Sequence, residues 1–192
     1  VYGHLAYFGQ PIYDSGAFCA DMLMSGSTEE NRGIVHLVRI ERDVKGLSDP
    51  SQERRRGFMD YLAAHFPETE VRNVVINPNN PEEAHKAMDD AFSAITGCPN
   101  VVTLNSRIYL VADYLRERGL KGWNVIGYDV LERNMTALKD GYVKYLIAQH
   151  SDRDAHDAVA VLTDFLILGK RPDHPDNFSS IDLLSRYNCR FY

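Results

Sequence analysis

GIVHLVRI, residues 33–40, followed after a polar loop by SQERRRGFMDYLAAHF, residues 51–66, decides how the chain is read. The first is an apolar run of strand length. In the second, Phe58, Leu62 and Phe66 fall four apart, on one face of a helix. The same pair of patterns recurs on both sides. Upstream, residues 5–8 lead into a helical pattern at 14–24. Downstream, VRNVVI at 71–76 precedes 81–95, where Ala84, Met88, Ala91 and Ile95 form a stripe. Residues 101–104 precede a helix at 107–118, which Gly119 stops. Residues 124–128 and 142–148 are further apolar runs. Residues 152–168 carry the longest helical pattern, with Val159, Leu162 and Leu166 inside it, and 181–187 is a last strand-like segment. Short strands alternating with helices of this length predict an α/β fold, a doubly wound and mostly parallel sheet covered on both faces. The breaker-rich stretches 25–32 and 169–177 are the two candidate crossings between lobes.

In such sheets ligands sit at the carboxyl ends of the strands, so the polar residues just after each apolar run are the candidates. These are Arg54 beyond the loop that follows residue 40, the Asn77–Pro81 loop with Asn79, Asn105 after Leu104, Asp129 after Tyr128, and Gln149 after Ala148. A guanidinium fork, a carboxylate and several carboxamides match the vicinal hydroxyls of a sugar or another polyol. Each also has a plainer reading. Asp129 and Asn105 could cap the helices that follow them, and Arg54 belongs to a three-arginine run of the kind found on solvated helix faces.

The totals exclude other classes. The 192 residues are 44% hydrophobic and 25% charged, and the net charge of −6 repels phosphate, so the segment is a poor nucleic-acid binder by itself. Cys19, Cys98 and Cys189 have neither disulfide-framework nor metal spacing, which suits a reducing cytoplasm. No apolar run reaches membrane-span length, no export leader is visible, and no nucleotide, hydrolase or metalloprotease motif occurs. His150, Asp152, Asp154, His156 and Asp157 lie together. The expected reading is a capping box, Ser151-x-x-Asp154, rather than a metal site. The expectation is therefore a binding protein, not an enzyme, with no cofactor and no metal; a small α/β enzyme is the alternative from another class.

The order of motifs resembles the sugar-binding core of LacI-type repressors and their relatives, the periplasmic sugar-binding proteins. R-x-x-G-F stands as Arg54, Gly57 and Phe58, the strand-end pair as Asn105-Ser106, VIGYD as residues 125–129, and G-x5-IAQ as Gly141 to Gln149. The resemblance implies a type I periplasmic-binding-protein-like fold. In it, residues 1–27 are a remnant of the N-terminal lobe, 33–148 the C-terminal lobe, 150–170 an N-lobe helix and 178–192 the closing C-lobe strand. It implies sugar contacts from Arg54, Asn105, Asp129 and Gln149, with Asn79 and Gln10 as weaker candidates, because Pro11 replaces the acid usually found beside Gln10. It further implies a cytoplasmic homodimer that senses a sugar and reaches operator DNA through a helix-turn-helix head upstream of these residues, with no membrane partner. A periplasmic transporter component of the same fold is the alternative. Self-association is expected through residues 5–8 or 17–24.

Overall fold

The computed structural model describes residues 4–41, 49–93, 95 and 97–192, which leaves most of the polar loop after residue 40 outside the description. The elements follow in order: β1 (Tyr7–Gly9), α1 (Ile12–Ser25), β2 (Ile34–Ile40), α2 (Asp49–His65), β3 (Glu70–Ile76), α3 (Pro81–Phe92), β4 (Asn100–Val102), α4 (Tyr109–Glu117), β5 (Asn124–Tyr128), α5 (Glu132–Asp140), β6 (Tyr145–Ala148), α6 (Ser151–Leu168), β7 (Asp176–Phe178) and β8 (Asp182–Leu184). Local chemistry sets several boundaries. The Asn80 side chain accepts from the Glu83 backbone N–H, and Pro81 opens α3 where its missing N–H costs nothing. Gly141 and Gly169 end α5 and α6 in the left-handed conformation.

Six strands form the main sheet in the order β3-β2-β4-β5-β6-β8, all parallel except β8, which runs antiparallel along β6. The expected doubly wound sheet is therefore present. Alternation along the strands sends their side chains to two cores. On one face Leu37, Val102, Ile126, Tyr128 and Ile147 meet Leu23 of α1 and Phe58 and Leu62 of α2. On the other, Val38, Val101, Val125 and Leu146 meet residues of α3, α4 and α5, among them Met88, Leu115 and Leu138. Trp123 closes this second core against Phe92, edge to face at 5.3 Å between ring centroids. β1 and β7 form a separate two-stranded parallel sheet on which α6 packs.

Four sequence expectations change. First, residues 12–25 do not group with β1: Cys19, Ala20, Leu23 and Met24 of α1 are buried against the main sheet, so the packing divides near residue 10 rather than at 27. Second, neither 25–32 nor 169–177 is a crossing. The first joins α1 to β2 within the main unit, and the second contains the start of β7 within the small one. The chain passes between the two sheets at residues 10–11, 149–150 and 179–181. Gln10 Nε2 joins the first of them to the carbonyls of Ala148 and Ser180. Third, Ser151 does not cap α6: His150 precedes the helix without a side-chain cap, and the Asp154 carboxylate accepts instead from the Ser179 hydroxyl at 3.3 Å. Fourth, α5, the helix that follows Asp129, begins only at Glu132, so Asp129 does not cap it.

Candidate functional site

The parallel strands of the main sheet end on one side, and the candidates stand there. Ile40 and Ile76 are paired in register, as are Tyr128 and Ile147, and the chain turns off the sheet just after each. Arg54 reaches this edge from α2, and two glycines let it. A β-carbon on Gly16 would lie 1.9 Å from the Arg54 carbonyl oxygen, and one on Gly57 would lie 2.0 Å from that of Tyr13. α1 and α2 thus touch backbone to backbone, which only glycine permits. The Arg54 side chain is 9% exposed. Its Nη1 donates to the Leu104 carbonyl at 3.0 Å, and its guanidinium lies 4.2 Å from the centroid of the Tyr128 ring. That ring is fixed in turn: the Tyr128 hydroxyl donates to the Ser15 carbonyl at 2.8 Å and accepts from the Ser15 hydroxyl at 3.2 Å.

Arg54 thereby stands over the residues that precede Asn105 and Asp129. Asp129 is the one non-glycine residue with a positive φ, 70°, among the described residues. An L-residue pays about 1–2 kcal/mol for this conformation, less for aspartate than for most. It turns the chain sharply off β5, while the Asp129 N–H still donates to Ile147 at 2.9 Å. Its carboxylate accepts from Gln149 Nε2, which brings the end of β6 into the same group. Burial raises the Asp129 pKa, and the Arg54 charge and the Gln149 hydrogen bond only partly oppose this. The capping alternative for Asp129 fails, since α5 begins at Glu132 after Leu131 and has no side-chain cap. Asn105 does serve its own turn: Oδ1 accepts from the Arg107 N–H at 3.0 Å, well before α4 starts.

Arg54, Asn105, Asp129 and Gln149 are thus gathered at one edge. Asn79 and Gln10 are placed differently. Asn79 is exposed in the loop after β3, its N–H held by Asn77 Oδ1 at 3.0 Å, and among the described residues it shares no hydrogen bond with any of the four. Gln10 is 3% exposed and lies in the first crossing. Its Nε2 donates to the Ala148 carbonyl at 2.6 Å and the Ser180 carbonyl at 2.9 Å, which ties the three crossings together. Both its donors are used, so its geometry is that of a tie between segments. Beside it, His150 contacts Asp182 at 2.9 Å and Ser180 Oγ at 3.1 Å. Sequence reasoning missed the parts played by Tyr128 and Asn134. Tyr128 read only as the last strand residue, and Asn134 lies in a helix whose sparse apolar pattern hid it.

A guanidinium, a carboxylate and two carboxamides at one sheet edge offer both donors and acceptors to adjacent hydroxyls. Among the described residues no helix is long and apolar enough to cross a membrane.

Comparison with known proteins gives the following. The family model described as periplasmic binding protein domain matches residues 2–171. Similar solved structures include a chain from Bacteroides fragilis described as a candidate LacI transcriptional regulator, at 32% identity and a TM-score of 0.86, covering 98% of this chain and 64% of that one. A solute-binding protein of an ABC transporter from Burkholderia graminis, in complex with D-arabinose, is 21% identical with a TM-score of 0.78, covering 99% and 65%. A sugar-binding protein of a sugar ABC transporter from Bacillus halodurans is 17% identical with a TM-score of 0.76, covering 97% and 66%. The chain thus spans slightly under two thirds of each. No curated protein matches it.

Proposed function

Because this chain belongs to the periplasmic binding protein domain family, we propose that it is the sugar-sensing part of a LacI-type transcriptional regulator. The observation that carries the reading is the gathering of Arg54, Asn105, Asp129 and Gln149 at the strand ends, next to the crossings toward the smaller unit. A sugar seated there lies between the two units and favours one relative orientation of them. The regulator is preferred over the transporter component because the Bacteroides fragilis chain is 32% identical, against 21% and 17% for the two transporter proteins. In this reading the residues 4–9 and 151–178 belong to one lobe and 12–148 with 182–192 to the other. The protein acts in the cytoplasm as a homodimer without catalysis, and reaches operator DNA through a separate head.

Transporter components in the comparison bind D-arabinose and, in a protein from Agrobacterium vitis, α-D-tagatopyranose, which makes pentoses and ketohexoses the first ligands to try. The test is calorimetric titration of the intact protein with D-arabinose, D-ribose and D-tagatose, followed by operator binding with and without the sugar that binds. Sugar binding that changes DNA affinity supports the regulator. Sugar binding by a protein that never engages DNA overturns it in favour of the transporter component.

A further inference from the structure

Asn134, one turn into α5, is fully buried, and its carboxamide meets three separate pieces of backbone. Nδ2 faces the carbonyls of Tyr128 at 3.0 Å, Asp129 at 3.1 Å and Ser106 at 2.9 Å, sharing two hydrogens among three acceptors. Oδ1 accepts from the Tyr109 N–H at 3.2 Å, at the first residue of α4. The carbonyls of Tyr128 and Asp129 bracket the left-handed residue. Ser106 and Tyr109 open and follow the turn that comes directly after Asn105. One side chain therefore joins the two loops that present Asn105 and Asp129. Such a tie matters because a binding group displaced by a fraction of an ångström loses much of its hydrogen bond.

We propose that Asn134 is a positioning residue for ligand binding: it holds Asp129 in its left-handed conformation and sets the spacing between the Asp129 carboxylate and the Asn105 carboxamide. The proposal rests on the sugar reading of the site. It goes beyond it in assigning function to a residue that touches no ligand. The plainer alternative is a buried asparagine that serves stability alone.

The two differ in coupling. If Asn134 acts through Asp129, removing it costs affinity only while Asp129 is there to be positioned. In the intact protein, Asn134→Ala should weaken binding of whichever of D-arabinose, D-ribose or D-tagatose the wild type takes by about tenfold, and by less than about twofold on an Asp129→Asn background. Equal losses on both backgrounds would overturn the proposal. A second measurement needs no sugar: amide hydrogen exchange in the unliganded protein should accelerate at least about tenfold at Tyr109 in Asn134→Ala while β2 and β3 keep their protection. Unchanged exchange at Tyr109 would overturn the tie itself. Loss of protection throughout the sheet would show a purely structural residue, and the proposal would fall. Should Asn134→Ala fail to fold, Asn134→Ser, which keeps one short donor, replaces it in both measurements. A wild type that binds none of the three sugars, with exchange at Tyr109 accelerated as expected, would remove the sugar reading and the ligand role while leaving the tie between loops standing.

Discussion

At the scale of single residues the site turns on Asp129. Sugar hydroxyls donating to its carboxylate would replace the solvation that burial removes. Asp129→Asn keeps the size but turns one acceptor into a donor, so affinity should fall about ten- to a hundredfold in calorimetry with little change in melting temperature. Affinity should also depend on pH. The pKa of Asp129 in the free protein is raised, above all by burial, and bound hydroxyls favour the charged form. Binding therefore releases a proton, and affinity should drop as pH falls through that raised pKa, above the ordinary aspartate value. Titrations across acid pH should show this slope in the wild type and none in Asp129→Asn. A slope that survives the substitution would assign it to another group. Little of this geometry was legible beforehand. The strand-end position of Asp129 follows from alternation, but its left-handed turn depends on partners such as Asn134 and Gln149, which no local pattern brings near.

At the scale of elements, the contact between α1 and α2 sets where Arg54 can reach. Gly16→Ala or Gly57→Ala forces the two backbones apart, and each should cost about 1–3 kcal/mol of stability in chemical denaturation. Either should also weaken sugar binding, although neither glycine touches the ligand. Gly33, with open space where a β-carbon would stand, is the control and should tolerate alanine. β2 carries a different liability in His36, buried edge-on to Phe92 at 5.4 Å. Its pKa is lowered, first by burial and then by the Arg72 charge. The unfolded chain thus takes up this proton more readily than the folded one. The stability it leaves intact above about pH 6.5, the ordinary histidine value, is lost as pH falls through the lowered folded value. His36→Phe should flatten that part of the pH–stability curve, and an unchanged curve would clear His36. The central strands were legible because β2, β4, β5 and β6 are mainly apolar runs buried on both faces. β7 was not: Asp176–Phe178 is polar and short, and its partner β1 lies some 170 residues away in sequence. α5 was legible only as an unplaced helix after Asp129, because its buried face, Asn134, Ala137 and Leu138, is too short to form an apolar stripe.

At the scale of the whole molecule, the smaller unit carries a dense group of uncovered apolar side chains. α6 has no buried residue, and Val159, Leu162, Leu166, Ile167 and Leu168 are exposed, with Phe178 of β7 also open. The segment 17–24, expected to mediate association, is instead largely buried on the main sheet. The 192-residue chain should therefore self-associate through α6 in analytical ultracentrifugation, and the double substitution Leu166→Glu, Ile167→Glu should shift it toward monomer. A wild-type chain that stays monomeric at high concentration would contradict this. The three crossings carry a consequence for inheritance. Neither body is written as one continuous passage of the gene: the main sheet needs residues 182–184 as well as 34–148, and the small one needs 7–9 as well as 151–178. A recombination event or premature stop anywhere between residues 150 and 181 deletes β8 and leaves β6, the apolar Tyr145–Ala148, as an open border able to recruit strands from other chains. A single cut in such a gene cannot trade one body for the other.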